Sequence, residues 1–299
     1  MIVKICDFKA DSINDMIGTS YAGEPRDNTF MYIGCKVAYL IECLNGSKNC
    51  LVFTETGISV PERVAENNII VYTNTPQYDY AIFATEYDRR IQKKNRNRQY
   101  KMINGSYIGE NVSIGEESYI EPGCLIDHDV VIGRNALILS GSRIRNAIIG
   151  DNFICNENAV IGDSSFTMTK DPNGNIIRIP SLGRVIIHNN VEVGACNNIT
   201  SGACGDTILE DNVKLSGLIY IGHEAHIRKN TQMTPGVTVT GFVDMGENSY
   251  VGAGAQIKNR LKLGNNSFIG IGATVIRNVD DCSTVVGNPA YPLIRGENN

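Results

Sequence analysis

Aliphatic side chains stand at every sixth position through the C-terminal half of the chain, and this spacing constrains the fold more than any other feature. The run has no interruption over twelve members: Leu209, Leu215, Ile221, Ile227, Met233, Val239, Met245, Val251, Ile257, Leu263, Ile269 and Val275. A period of six matches neither an α-helix nor a single strand, whose side-chain periods are about 3.6 and 2 residues. It is typical of one short strand plus one turn, repeated, and therefore predicts a parallel β-helix.

The same register starts at Ile108, and its breaks are as informative as its regularity. After a one-residue slip before Ile149 it continues to Ile161, stops at Asp163 and resumes at Ile187. The intervening residues 163–184 contain the turn cluster Asp171-Pro172-Asn173-Gly174, which a regular coil cannot absorb. We therefore predict a β-helix over residues 104–279, a loop extruded at 163–184 and a C-terminal tail over 280–299. A loop expelled from a strict repeat is a candidate functional element.

The first hundred residues have a different pattern. The apolar runs Cys50–Phe53 and Ile69–Tyr72 indicate buried strands, whereas residues 37–44 and 80–91 have helical spacing. These features predict a small α/β domain over residues 1–103. Its last part is rich in basic residues, which suit either a solvated linker helix or a surface for phosphate or a carrier. They are Arg89, Arg90, Lys93, Lys94, Arg96, Arg98 and Lys101.

Composition restricts the functional classes further. The net charge of −5 argues against nucleic acid as a general partner. The apolar stretches are too short to cross a membrane and the N-terminus lacks a secretory pattern, so we expect a cytoplasmic protein. Nine cysteines without CxxC pairs are expected to be reduced thiols. Because a stack of coils leaves its outer faces uncovered, we expect a homotrimer.

The order of motifs in the β-helix indicates a family. Ile179-Pro180, Gly183-Arg184-Val185, Val191-Glu192-Val193, Ser201-Gly202-Ala203 and Ile221-Gly222-His223 follow one another with characteristic spacings. In this order they resemble the hexapeptide-repeat acyltransferases, and most closely the UDP-3-O-acylglucosamine N-acyltransferases of lipid A synthesis. The resemblance implies a left-handed parallel β-helix preceded by an N-terminal nucleotide-binding domain. It also implies transfer of an acyl group to the amine of a nucleotide-linked amino sugar.

Acyl transfer to an amine needs a group that accepts a proton as the tetrahedral intermediate forms, and imidazole suits this task. Of the four histidines, His128, His188, His223 and His226, only His223 falls on the family's Ile-Ala-His motif. The resemblance therefore implies that His223 is the general base. Its place two residues after a rung predicts a corner of the helix, with Glu224 as a candidate orienting group.

The resemblance also implies substrate contacts. In Thr29-Phe30-Met31, Phe30 matches an aromatic residue that stacks on the nucleobase, although a core role for it is equally compatible with the sequence. Phe166 is retained where the family has a Gly-Phe-Gly loop, but its flanking glycines are absent, which predicts a different acceptor or acyl pocket. Ser216 and Tyr220, just ahead of the histidine motif, complete the predicted substrate contacts.

The final coils resemble those of acetyltransferases that use coenzyme A, so acyl-CoA is the expected co-substrate and no metal is expected. Small residues would let a pantetheine arm lie against the backbone, and nearby cations would meet its phosphates. The residues predicted to contact coenzyme A are Gly241, Gly252, Ala253, Gly254, Lys258, Arg260, Gly270, Gly272, Arg277, Asn288 and Pro289.

Three alternatives remain open on the sequence. The first is a lipid A N-acyltransferase that takes its acyl group from acyl carrier protein. The second is a zinc enzyme resembling the γ-carbonic anhydrases, with His188, His223 and His226 as ligands across a trimer interface. The third is a catalytically silent protein that binds a nucleotide sugar.

Overall fold

The computed structural model describes residues 16–293, so the predicted thiol at Cys6 and the ends of the predicted N- and C-terminal segments lie outside the described residues. The chain forms two compact units. One contains residues 16–97 together with Ser165–Gly183 and Ala203–Gly205. The other contains Arg98–Ser164, Arg184–Gly202 and residues 206–293. The residues of the predicted loop thus fall mostly in the N-terminal unit, whereas the described part of the predicted tail belongs to the second unit.

The second unit is a β-helix whose short strands build three sheets, here called faces 1, 2 and 3 in the order in which the chain visits them. Face 1 contains Lys101–Ile103, Ser106–Ile108, Leu125–Ile126, Arg143–Ile144, Val160–Asp163, Asn198–Thr200, Tyr220–Ile221, Thr238–Val239, Gln256–Ile257 and Thr274–Val275. Face 2 contains Ser113–Ile114, Val131–Ile132, Ala147–Ile149, Val185–Ile187, Thr207–Leu209, His226–Ile227, Asp244–Met245 and Lys262–Leu263. Face 3 contains Tyr119–Ile120, Leu137–Ile138, Ile154–Cys155, Glu192–Val193, Lys214–Leu215, Gln232–Met233, Tyr250–Val251, Phe268–Ile269, Thr284–Val286 and Tyr291–Pro292. Pairing is parallel except at the first and last strands, which turn back on their neighbours.

The six-residue register corresponds to the side chains that point into the helix. All twelve aliphatic residues from Leu209 to Val275 are at most 2% exposed and belong to one continuous core. Ile114 is 39% exposed because it lies in the first coil, where no preceding coil covers it. Burial of one aliphatic side chain contributes about 1.5–3 kcal/mol, so these rungs are the main source of stability in this unit.

The corners between faces require left-handed backbone once per turn. At the corner between faces 2 and 3, that position is occupied almost throughout by asparagine, which tolerates positive φ better than other side chains. These asparagines are Asn135, Asn152, Asn190, Asn212, Asn230, Asn248 and Asn266. Several are joined along the stack by hydrogen bonds between their side-chain amides, for example from Asn212 to Asn230 at 2.9 Å.

The N-terminal unit contains a parallel sheet of four strands, in the order Gly18–Thr19, Thr29–Ile33, Leu51–Glu55 and Ile69–Thr73. The last two strands confirm that the two apolar runs are strands. Leu51–Glu55 is buried as predicted, whereas Ile69 and Tyr72 are exposed, so the predicted burial of the second run is wrong. The strand at Thr29–Ile33 was not expected. A 3₁₀ segment spans Cys35–Gly46, and the helices α1 and α2 span Glu62–Asn67 and Pro76–Asn95. The helical spacing at residues 80–91 is thus confirmed, and α2 carries Arg89, Arg90, Lys93 and Lys94 on its C-terminal half.

The segment of the predicted loop within this unit forms an antiparallel hairpin, Met168–Lys170 with Ile176–Arg178. Ile179, the residue directly after this hairpin, is buried in the same core cluster as Phe30 and Tyr80. In the β-helix, Ile149 pairs with Ile187 and Ile161 pairs with Ile199, so the coils on either side of the excursion stack directly. In residues 16–293, no helix combines the length and the apolar character needed to cross a bilayer.

Candidate active site

His223 lies at the corner between faces 1 and 2, as its place in the repeat predicts. The strand Tyr220–Ile221 leads into it and the strand His226–Ile227 follows it. Its side chain is 20% exposed, so the imidazole is largely enclosed and still reachable from solvent. The following residue is anchored by the preceding coil, because the Glu224 backbone N–H donates to the hydroxyl of buried Thr207 at 3.0 Å.

A carboxylate fixes one nitrogen of this imidazole. His223 Nδ1 lies 2.5 Å from Glu224 Oε2, and the Glu224 side chain is only 5% exposed. An ionised carboxylate can only accept, so Nδ1 carries the proton that is donated to it and Nε2 keeps the lone pair. Such a pair holds the histidine in the tautomer that a general base needs.

The other side of the ring lies against the next coil. A Cβ added to Gly241 would come within 2.5 Å of His223 Nε2, so only glycine leaves room for the imidazole. On the same side, the Phe242 ring meets the imidazole edge-on with centroids 5.4 Å apart. The Arg260 guanidinium lies 4.2 Å from the centroid of the Phe242 ring. Nothing in the sequence motif singled out Phe242, and only its spacing of nearly one coil from His223 could have indicated it.

Tyr220 and Ser216, the two predicted substrate contacts closest to His223 in sequence, lie in different parts of the coil. Tyr220 faces outward on face 1, beside Asn198 and Thr238, on the strand that ends at the histidine corner. Ser216 is exposed at a different corner, between faces 3 and 1. Tyr220 is therefore the better placed of the two to contact a substrate at His223.

His226 has a partner of its own. Its Nε2 lies 2.7 Å from Glu210 Oε1, and Arg228 lies 2.9 Å from Asp244 in the same row of side chains on face 2. His188 is exposed at the end of a face 2 strand two coils earlier. Within residues 16–293 of this chain, no group of three histidine, cysteine or acidic side chains is close enough to hold a metal ion.

The prediction that Phe30 stacks on a nucleobase is wrong for this structure. Phe30 is fully buried in the strand Thr29–Ile33, with its ring packed against Phe83 at 4.8 Å and Tyr87 at 5.1 Å. Its apolar pattern indicates a core residue, and the core interpretation explains it completely. Phe166, in contrast, is 77% exposed, and the Arg178 guanidinium lies 5.6 Å from its ring centroid.

Most of the residues predicted to contact coenzyme A divide between two corners of the β-helix. Gly241, Lys258, Arg260 and Arg277 lie at or beside the corner of His223, whereas the glycines and alanine of residues 252–254 and 270–272 lie at the corner between faces 3 and 1. Gly252, Ala253 and Gly270 line an apolar groove of about 500 Å³ with Tyr250, Phe268 and Ile271. Asn288 and Pro289 lie in the turn before the last strand, Tyr291–Pro292.

The fold and the repeat define the class. Residues 111–146 match the family described as Bacterial transferase hexapeptide (six repeats). Solved structures of UDP-N-acetylglucosamine acyltransferases, which are left-handed β-helix proteins, share the fold. The protein from Campylobacter jejuni superposes with a TM-score of 0.58 at 23% identity, over 64% of this chain and 74% of that one. The protein from Francisella novicida gives 0.58 at 24% identity, over 64% and 70%. The prediction of a left-handed parallel β-helix is confirmed.

Curated relatives specify the resemblance further. A UDP-3-O-acylglucosamine N-acyltransferase from Caulobacter vibrioides is 41% identical over 164 residues, which is 55% of this chain and 46% of that protein. UDP-3-O-acylglucosamine N-acyltransferase 2 from Legionella pneumophila is 39% identical over 150 residues, or 50% and 43%. The relative from Sinorhizobium fredii is 35% identical over 109 residues, or 36% and 31%. The chain thus spans a third to a half of the length of these relatives.

These comparisons correct one prediction. The UDP-3-O-acylglucosamine N-acyltransferases use acyl groups carried by acyl carrier protein rather than by coenzyme A. The expectation of acyl-CoA as co-substrate is therefore wrong. It rested on small residues in the last coils, and such residues are equally required by the tight corners of the fold itself.

Proposed function

We propose that the chain is an N-acyltransferase that moves an acyl group from acyl carrier protein to the amine of a nucleotide-linked amino sugar of the UDP-3-O-acylglucosamine type. Two observations support the proposal. The curated relatives described above are UDP-3-O-acylglucosamine N-acyltransferases. In addition, the candidate site contains an imidazole whose Nδ1 is held by the Glu224 carboxylate at 2.5 Å. This pair is the observation that carries the chemical part of the proposal.

The reaction follows from that pair. The sugar amine attacks the thioester carbonyl carbon, forming the C–N bond, and His223 Nε2 accepts the proton that the nitrogen loses. The C–S bond then breaks, and the departing thiolate takes a proton from the imidazolium to leave as the thiol. Glu224 stabilises the imidazolium while it exists, since an opposite charge within hydrogen-bond distance favours the charged form.

Substrate contacts are proposed from the exposure and chemical character of side chains. Tyr220 lies on the outer side of the strand that leads to His223, so it is the proposed contact for the sugar. Phe166 presents an exposed aromatic face, and its contact with the acceptor stays a prediction of the family resemblance. The groove lined by Tyr250, Phe268 and Ile271 lies at a different corner from His223, so it is proposed to hold the hydrocarbon part of an acyl group that reacts at the site of a neighbouring subunit; its exposed surface is mainly apolar.

We further propose a homotrimer with the sites at subunit boundaries. The outer side of face 2 has four aliphatic side chains in register, Val131, Ile148, Ile186 and Ile208. Val131 and Ile148 are 40% and 36% exposed. A contiguous apolar stripe of this kind on a monomer marks a contact surface. Sedimentation of the purified protein tests the assembly independently of turnover.

The central experiment incubates the purified protein with a 3-hydroxyacyl group on acyl carrier protein and UDP-3-O-acylglucosamine, and follows the free thiol released. We expect turnover with the carrier protein and at least tenfold less with the same acyl group on coenzyme A. Tight binding of the sugar nucleotide without thiol release would indicate a binding protein and contradict the proposal. Equal or faster use of coenzyme A would contradict the assignment of the donor.

Two histidines three residues apart provide a matched pair for the base. His223→Ala is expected to lower kcat by about 10²–10⁴-fold, the range for loss of a general base. His226→Ala removes an imidazole that is likewise bonded to a carboxylate, Glu210, but faces out of face 2, and it should retain kcat within about twofold. Similar losses for both variants would show that His223 has no special role.

A further inference from the structure

The corner that carries His223 contains bulky residues in a backbone conformation that such residues rarely adopt. Glu224, Phe242 and Arg260 follow one another along this corner at spacings of one coil, with φ values of 51°, 59° and 62°. Left-handed backbone is unfavourable for residues with large side chains, and where it persists it is concentrated at functional sites.

The fold itself does not require these side chains. At the corner between faces 2 and 3, the equivalent left-handed position is asparagine in coil after coil, as at Asn212, Asn230 and Asn248. The corner of His223 has the short polar residues asparagine or aspartate in its early coils, at Asn111, Asp129 and Asn146. At this corner, the change from short polar residues to bulky ones therefore coincides with the coil of His223 and the two coils beyond it.

Contacts connect these three residues to the imidazole. Glu224 bonds to Nδ1, and the Phe242 ring stands at 87° to the imidazole with centroids 5.4 Å apart. The Phe242 backbone N–H also donates to the His223 carbonyl at 2.9 Å. Arg260 covers the Phe242 ring at 4.2 Å, a cation–π contact, and its backbone N–H donates to the Gly241 carbonyl at 3.0 Å.

We propose that Phe242 and Arg260 are positioning residues for His223: Phe242 sets the plane of the imidazole, and Arg260 holds Phe242 in place. The inference rests on the proposed function, in which His223 is the base. The hydrogen bond to Glu224 fixes only Nδ1. An edge-to-face aromatic contact also restricts how far the imidazole can tilt about that hydrogen bond. Neither residue needs to touch a substrate for this role.

Replacement by asparagine separates positioning from folding. Phe242→Asn gives the backbone the side chain it prefers and removes the ring, so the Tm should equal or exceed that of the parent protein. A displacement of a base by about 1 Å can cost 10²-fold, and we expect kcat to fall by about 10–100-fold with each KM within about twofold. Phe242→Tyr keeps the ring and should restore kcat to within about threefold.

The matched control lies at a different corner. Cys282 has φ 57° at the corner between faces 2 and 3, in the column occupied in most coils by asparagine, and it is exposed. Cys282→Asn therefore makes the same change of backbone preference away from His223, and kcat should not change. If Phe242→Asn retained kcat, or if its loss of kcat came with a lowered Tm and was not restored by tyrosine, positioning by Phe242 would be refuted.

Arg260 is tested by its charge. Arg260→Lys keeps a cation over the ring and should retain most of kcat, whereas Arg260→Asn should lower kcat about tenfold at constant KM. A rise in the KM for the acyl donor with kcat unchanged would show direct contact with the donor, and the proposed action through Phe242 would be wrong.

A second measurement does not depend on turnover. Diethyl pyrocarbonate acylates accessible imidazole nitrogens, and mass spectrometry reports the rate at each histidine. Phe242→Asn should raise the rate at His223 severalfold, with His188 and His226 as internal references. An unchanged rate at His223 would refute the positioning role, whether or not the protein has acyltransferase activity. If the protein has no such activity but the rate at His223 rises, the positioning role stands and the missing activity refutes only the proposed function.

Discussion

Gly241→Ala is the most direct test of the candidate site, because its effect can be worked out from the geometry. The new Cβ would lie 2.5 Å from His223 Nε2 and 2.6 Å from Cε1, whereas ordinary contacts start at 3.4 Å. The imidazole must therefore retreat by about 1 Å, and a displacement of that size can reduce a rate about 10²-fold. This reduction corresponds to about 2.7 kcal/mol of transition-state stabilisation.

Gly241→Ala should have little effect on the stability of the fold. The φ of Gly241 lies outside the left-handed region, so alanine can adopt its backbone conformation, and the atoms it meets first belong to a side chain. We expect the Tm to change by less than about 3 °C. Gly46→Ala is the control, because a Cβ there has no neighbour within 4 Å. Thiol release from the acyl carrier protein under saturating substrates gives kcat for all three proteins.

A double-mutant cycle makes the reasoning refutable. If alanine at 241 acts only by moving the imidazole, adding it to His223→Ala should cause no further loss, because nothing remains to be displaced. A further tenfold loss in the double variant would show that the backbone at Gly241 acts on the substrate independently. Retention of wild-type kcat by Gly241→Ala alone would show that the ring position has no catalytic importance.

Three further outcomes follow from the structure. Phe30→Ala should lower the free energy of unfolding of the N-terminal unit by about 3–5 kcal/mol, because it leaves a cavity between Phe83 and Tyr87. Urea denaturation measures this loss. A variant of unchanged stability that had lost only nucleotide affinity would contradict the core assignment. Ile148→Lys places a charge in the apolar stripe of face 2 and should dissociate the proposed trimer in sedimentation experiments, so an unchanged assembly would exclude this surface. The hydrogen bond from Arg98 holds the pKa of Asp129 below its usual range. The ion pair therefore stabilises the folded protein fully above about pH 4, and this stabilisation disappears as the pH falls through the lowered pKa of Asp129. Asp129→Asn should therefore lower the Tm at pH 7 by a few degrees, reflecting about 1 kcal/mol for a partly exposed pair, and progressively less toward pH 3; a constant difference across that range would contradict the ion pair.

The β-helix was predictable because its core is local. Each rung such as Ile221 or Val239 packs on rungs one coil away, so the pattern of burial repeats along the sequence and can be read without tertiary information. The slip before Ile149 and the break after Ile161 could be recognised for the same reason. Periodicity could not reveal that Ile179 joins the aromatic core of the N-terminal unit, because that contact is between residues far apart in sequence.

The N-terminal unit shows the corresponding limit. Phe30 occupies a strand whose neighbours, Leu51 and Gly18, come from separate parts of the chain. An aromatic residue in a short motif has the same appearance whether it contacts a ligand or fills a core, and only the surrounding rings distinguish the two. Family resemblance was a weaker guide here because the aromatic residue alone was retained and the rest of the motif was not.

At the candidate site, the motif identified His223 but not what holds it. Glu224 is adjacent in sequence and could be proposed at once, whereas Gly241, Phe242 and Arg260 reach the imidazole through the stacking of coils. In a solenoid of this pitch, a residue near i and residues near i+18 and i+36 share a corner. Searching at that interval for large residues where the repeat favours asparagine or glycine would have found Phe242 and Arg260 from sequence alone.

The interruption of the six-residue repeat before His223 also affects the candidate site. Between Ile199 and Leu209 the chain takes ten residues where the repeat would take a multiple of six, and Ala203–Gly205 belong to the N-terminal unit. When the regular coil resumes, Thr207 is its first strand residue, and its buried hydroxyl accepts the Glu224 N–H. The interruption therefore determines which side chain anchors the backbone of the residue that orients His223. Removing that anchor with Thr207→Val would keep the β-branched shape and the strand, so any loss of kcat at unchanged Tm would show that the break in the repeat contributes to the chemistry as well as to the topology.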